Sequence, residues 1–239
     1  LATLHFGGEE KMIRFDMSEY QDKNSINRFI GSSESGVISS LTEAVMARQY
    51  SLVLLDEFEK AHPDILNLFL QVFDDGRLTD SAGRTVDFQN TIIIATSNAH
   101  SDLIKKGIES GTAIKDLADQ LKKKLTEYFK PELLNRFSNI IVFKPLSPAD
   151  IRAIAAIQLR ELAGTLRESQ GVELQFDEAA IGEIARLGFD PVFGARPLRN
   201  VISEKLRGPL AEKILRGEVA RGSNIKVVLK NNQFEFTNG

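Results

Sequence analysis

Cysteine is absent from all 239 residues, which excludes a disulfide framework, a thiolate zinc site and a cysteine nucleophile. Histidine is scarce: His5, His62 and His100 stand singly, which argues against a histidine-rich metal site. An excess of positive charge is also missing. Thirty basic residues face 33 acidic ones, a formal net charge of −3, so the chain lacks the electrostatic footprint of a non-specific nucleic-acid binder. No apolar run approaches the roughly 18 residues of a membrane span, and no signal-peptide pattern opens the chain. Apolar residues are plentiful, at 42%, close to the ordinary globular share and enough to bury a core. These balances describe a soluble, cytoplasmic α/β chain of one large domain, or of a domain with a smaller satellite.

Short apolar runs bounded by polar residues suit the central strands of a parallel sheet. Residues 51–55 (SLVLL) and 91–95 (TIIIA) fit best, with 12–15 as a weaker third strand and 139–143 (NIIVF) as a fourth. Helical stretches at 41–47, 63–73 and 114–129 alternate with them, as βαβ units require. Texture changes at Pro145-Leu146-Ser147-Pro148, where a cap residue precedes a first-turn proline. A long amphipathic helix begins there. It precedes a strand at 172–176, a helix capped by Asp177, a helix after Pro197, and two strands split by Asn231-Asn232, a hairpin signal.

The sharpest chemical signal is the apolar strand ending in Asp56-Glu57. Adjacent carboxylates at the C-terminal end of a buried strand lie at the crevice where open α/β sheets bind ligands. Asp56 there suits Mg²⁺, and Glu57 suits the activation of an attacking water. A polar strand end and helix cap reads equally well for that string alone. Asn98 ends the next strand, Arg136 precedes the fourth, and Arg196 opens a helix of the satellite. Singly, these three suit turn chemistry or structural ion pairs.

In order and spacing, however, the stretches resemble the second ATPase module of the Clp family of AAA+ protein unfoldases and disaggregases, essentially end to end. The resemblance is carried by residues 13–20 (IRFDMSEY), 41–45 (LTEAV), 51–64 (SLVLLDEFEKAHPD), 74–80 (DDGRLTD), 83–88 (GRTVDF), 96–98 (TSN), 130–137 (KPELLNRF) and 188–199 (GFDPVFGARPLR). It implies an AAA+ fold: a P-loop-type parallel sheet flanked by helices over residues 1–145, and a small, mainly helical α+β lid over 146–239. It also implies that Asp56 and Glu57 form a Walker B pair for Mg²⁺ and for water, and that Asn98 is a first sensor of ATP. Arg136 becomes an arginine finger reaching the next subunit's nucleotide, and Arg196 a second sensor. The implied activity is ATP-driven remodelling of unfolded or aggregated proteins by a hexameric ring.

Three departures from that family pattern stand out. No G-x-x-x-x-G-K-[ST] occurs in the chain, so the phosphate-cradling loop is missing. The chain reads as a module lacking its first strand and that loop, and by itself without appreciable ATPase activity. The segment in place of the family's aromatic pore loop reads Gly-Ser-Ser-Glu-Ser-Gly-Val-Ile-Ser-Ser. Val37 and Ile38 are its candidate substrate-gripping residues, and a plain linker is the other reading. Around Lys106-Gly107-Ile108 the apolar-Gly-Phe tripeptide that docks a peptidase is not found, which disfavours a peptidase partner. The alternative to a remodelling motor is a catalytically idle scaffold module.

Overall fold

A computed structural model describes residues 1–31, 40–80, 83–191 and 193–238. The chain divides into two compact units, Leu1–Lys144 and Pro145–Gly239. The candidate pore-loop residues Val37 and Ile38 lie outside the described residues. No helix among the described residues is long and apolar enough to cross a membrane.

In the first unit α1 (Ala2–Phe6) leads to β1 (Met12–Asp16), then α2 (Lys23–Ile30), α3 (Ser40–Ala47) and β2 (Ser51–Asp56). Helix α4 (Pro63–Asp75), the short antiparallel pair β3 (Arg77–Thr79) and β4 (Thr85–Asp87), and β5 (Thr91–Ala95) follow. Helices α5 (Ser101–Glu109), α6 (Ile114–Lys124) and α7 (Pro131–Leu134) complete the unit. The main sheet is parallel in the order β1-β2-β5. As its unbroken apolar run predicts, β2 is central, with Leu52, Val53 and Leu55 buried. Around α4, Ile65, Leu66, Phe69 and Val72 are buried while Leu68, Leu70 and Phe73 pack partly on the same core, so this helix is apolar on most of its circumference.

Two sequence expectations are corrected. Residues 91–95 are not a fully buried central strand. Among the described residues β5 pairs only with β2, and Ile92 is 37% exposed. Residues 139–143 form no strand at all. Ile140 and Val142 pack partly against the core, but Ile141 is 75% and Phe143 83% exposed. A short apolar run becomes a strand only beside a neighbour that takes its backbone hydrogen bonds, and none stands next to this one among the described residues.

The second unit opens with the 23-residue helix α8 (Pro148–Gln170). It continues through β6 (Glu173–Phe176), α9 (Glu178–Leu187), α10 (Leu198–Ile202), a π-helical turn at Ser203–Arg207, α11 (Gly208–Leu215), β7 (Asn224–Lys230) and β8 (Gln233–Asn238). Its sheet runs β6-β7-β8, parallel then antiparallel. Asn231 and Asn232 both adopt positive φ, 49° and 60°, the geometry of a two-residue hairpin turn. Gly188 is fixed by close approach, because a Cβ there would lie 2.9 Å from the Leu198 Cα.

Helix α8 carries a full capping box: the Asp150 amide donates to Ser147 Oγ at 3.2 Å, and the Ser147 amide donates to Asp150 Oδ2 at 2.8 Å. Ser147→Ala is expected to cost about 1 kcal/mol, read as a lower urea midpoint at unchanged slope. Hydrogen bonds from the Ser147 hydroxyl and amide hold the Asp150 carboxyl below its usual pKa. Its contribution to stability is therefore complete above the ordinary aspartate pKa and is lost as pH falls through the lowered one.

Candidate functional site

The acidic pair sits where the sequence places it, at the C-terminal end of β2. The parallel register aligns Asp16 of β1 with Asp56, so two carboxylates leave the sheet side by side. Hydrogen bonds from the Ser18 hydroxyl and amide keep the Asp16 carboxyl below its usual pKa. Asp56 Oδ1 accepts the Thr96 hydroxyl, and Arg14 Nη2 lies 2.5 Å from Oδ2. The Thr96 hydroxyl first, and Arg14 after it, hold Asp56 below the usual carboxylate range against the opposing effect of burial.

Glu57 leaves the strand in the left-handed region, at φ 55° and ψ 49°, an uncommon backbone for a residue with a side chain. The neighbours over-determine this turn. Its amide donates to Thr96 Oγ1 at 3.2 Å, and the next amide, of Phe58, donates to the Thr96 carbonyl at 2.9 Å. Phe58 is buried to 1% exposure. It stacks on Phe129 at 5.5 Å and meets Phe69 edge-on, which anchors the turn in the aromatic core. Backbone strain held at such a point is a common property of functional sites.

Asn98 comes from the segment after β5. Its side-chain amide reaches Glu57 Oε1 at 3.5 Å, the outer limit of a hydrogen bond, and its backbone amide donates to Glu59 Oε1 at 3.0 Å. Glu59 Oε2 is buried without a hydrogen-bond partner among the described residues. Lys60 Nζ lies 2.6 Å from Glu57 Oε2. The hydrogen bond and charge of Glu57 raise the Lys60 pKa, with smaller contributions from Glu59 and Asp16. The structure therefore brings Asp56, Glu57 and Asn98 together. Thr96, which ties both acids to β5, and Lys60 are partners that the sequence reading of the acidic pair leaves out. Their only signal lies inside the matched strings, Thr96-Ser97-Asn98 and Glu57-Phe58-Glu59-Lys60.

Arg136 is not brought to this cluster. It follows α7, half-exposed, with Nε 2.7 Å from Asp74 Oδ1 near the end of α4. Arg196 belongs to the second unit. It lies exposed in the turn before α10, its amide 3.3 Å from the Phe193 carbonyl.

No group of three or more metal-ligating side chains clusters among the described residues. Asp56, ionised and partly exposed, still fits Mg²⁺, which keeps most of its waters and needs only one or two protein carboxylates beside phosphate oxygens. It does not fit a metal that demands a protein cage.

The family described as AAA domain (Cdc48 subfamily) matches residues 1–140. The chain belongs to that AAA family. Residues 146–227 match the C-terminal, D2-small domain, of ClpB protein, so the C-terminal Clp-type module inferred from the sequence is borne out, as is its AAA+ fold. The AAA chain is 49% identical to "Chaperone protein ClpB" of Meiothermus ruber over 95% of its own length. It is 45% identical to the protein of that name in Vibrio vulnificus over 98%. Against the "ATP-dependent Clp protease ATP-binding subunit ClpA homolog" of Cyanidium caldarium it is 42% identical over 98%. It spans only 27% of the length of the first two and 29% of the third.

Proposed function

We propose that this AAA chain is the C-terminal part of an ATP-driven protein-remodelling motor in which the first unit hydrolyses ATP and the second is its lid. The carrying observation is the cluster at the end of β2: Asp56 held ionised by Thr96 and Arg14, and Glu57 held between Asn98 and Lys60. Phosphoryl transfer needs little covalent chemistry from a protein and much positioning and charge stabilisation. Asp56 would hold Mg²⁺, directly or through water, and the ion would neutralise phosphate charge. Glu57 would take a proton from the attacking water, and Asn98 would orient that water. Arg136 would act on the nucleotide of the adjacent copy in a hexameric ring, and Arg196 would report the γ-phosphate to the lid. Unfolded or aggregated proteins would be the substrates, and Val37 and Ile38 would contact them. A cytoplasmic setting and no nucleic-acid partner complete the reading.

The open side of β5 and the exposed Ile141 and Phe143 support a first unit completed by one more strand and a phosphate loop. A scaffold reading is favoured by one fact, the absence of G-x-x-x-x-G-K-[ST] from the chain. Titration with a fluorescent ATP analogue separates the two. The expected result is saturable, Mg²⁺-dependent binding and hydrolysis by the full-length protein, with neither detectable for the 239-residue chain alone. Full-length protein that binds no nucleotide would leave the scaffold reading standing.

A further inference from the structure

Glu57 presents a positioning problem that the acidic pair does not solve by itself. A general base works only when its carboxylate is held at the reacting water, and small misplacements are costly. Its side chain is 31% exposed and leaves a backbone in the left-handed region, so rotamer choice is not settled by packing. Among the described residues, one carboxylate oxygen, Oε1, has only the long 3.5 Å contact from Asn98. The other, Oε2, has the 2.6 Å contact from Lys60. Residues 58–60 form a single 3-10 turn, a geometry in which positions three apart eclipse, so an ammonium three residues on returns over Glu57. Lys60 also faces Glu59 and Asp16. It lines an open recess with Glu59, Asn98 and His100.

We infer that Lys60 is a positioning residue for Glu57, fixing through Oε2 the orientation in which the carboxylate meets its water. The inference rests on the proposed ATPase function. It does not depend on fold stability, because exposed ion pairs contribute little to it. The Lys60 side chain is 46% exposed, so it can be replaced without opening a cavity.

The test is steady-state ATP hydrolysis by the full-length protein, its Lys60→Met and Lys60→Arg variants, and Glu57→Gln as the reference for this module's share of turnover. Lys60→Met is expected to lower kcat of that share about tenfold, with KM within about twofold because Lys60 positions the base rather than the nucleotide. The thermal midpoint should stay unchanged. Lys60→Arg, whose guanidinium can still reach Oε2, should recover most of the rate. Lys60→Met with wild-type kcat, or Lys60→Arg as slow as Lys60→Met, overturns the positioning role while leaving the ATPase function intact. A Glu57→Gln protein that hydrolyses like wild type overturns both.

Discussion

Replacing Glu57 by Gln in the full-length protein is expected to lower this module's ATP turnover by about 10²–10⁴-fold while nucleotide stays bound. The amide keeps the size of the carboxylate, and its single oxygen can still accept from Lys60 or from Asn98, which now contact the two carboxylate oxygens. It cannot take a proton from water. Asp56, the proposed Mg²⁺ residue, keeps its Thr96 and Arg14 partners, so metal and nucleotide binding survive. A glycine at the same position gives a second control. It adopts φ 55° without steric cost, which offsets the entropy that glycine loses on folding, so Glu57→Gly should hold its thermal midpoint while losing hydrolysis. Stability and activity would then move apart, as they do where strain is kept for function. Single-turnover hydrolysis measures the rate, filter retention of labelled ATP the binding, and thermal unfolding the midpoint. Turnover by Glu57→Gln within about tenfold of wild type would rule out Glu57 as the base.

The acidic pair was legible because three signals coincide at one point: an unbroken apolar run, its abrupt end in two acids, and a central place in the sheet. Residues 51–56 satisfy all three. Residues 91–95 and 139–143 show the first alone: the former is a strand, as read, but partly exposed and not fully buried, and the latter is no strand. An apolar run reports a preference for burial, whereas strand pairing depends on a neighbour that the run does not encode. Strands β3 and β4, at three residues each, are too short to show a period. Helix α5 begins after His100 at φ 58° with no side-chain cap, so the usual start signal is absent. In the second unit the Ser147 cap, the Asp177 cap and the Asn231-Asn232 turn were all legible, since each is local chemistry confined to a few residues. Thr96 and Lys60 were not, because their importance lies in what their side chains touch across the turn.

Arg136→Ala in the full-length protein should abolish this module's hydrolysis, by about 10³-fold or more, and leave nucleotide affinity nearly unchanged. The local structure tolerates the change. Arg136 is half-exposed and its ion pair with Asp74 is on the surface, so losing it costs little stability. Within its own unit the arginine is engaged by Asp74 and not by the carboxylates at the end of β2, which suits a group that acts on a neighbouring copy. A mixing experiment isolates that step. In a ring built head to tail, each site would combine Glu57 from one copy with Arg136 from the next. Arg136→Ala and Glu57→Gln proteins are each expected to lack this module's turnover when alone. Mixed in equal amounts, they should regain about a quarter of wild-type turnover, since about one interface in four joins an intact Glu57 to an intact Arg136. If Arg136 served its own copy's nucleotide, no mixture would regain activity, because every copy lacks one of the two groups. Recovery in the mixture therefore reads out the cross-subunit role directly; its absence, with both variants folded and assembled, would place Arg136 at its own copy's nucleotide, and an Arg136→Ala protein already active alone would leave it only the surface ion pair.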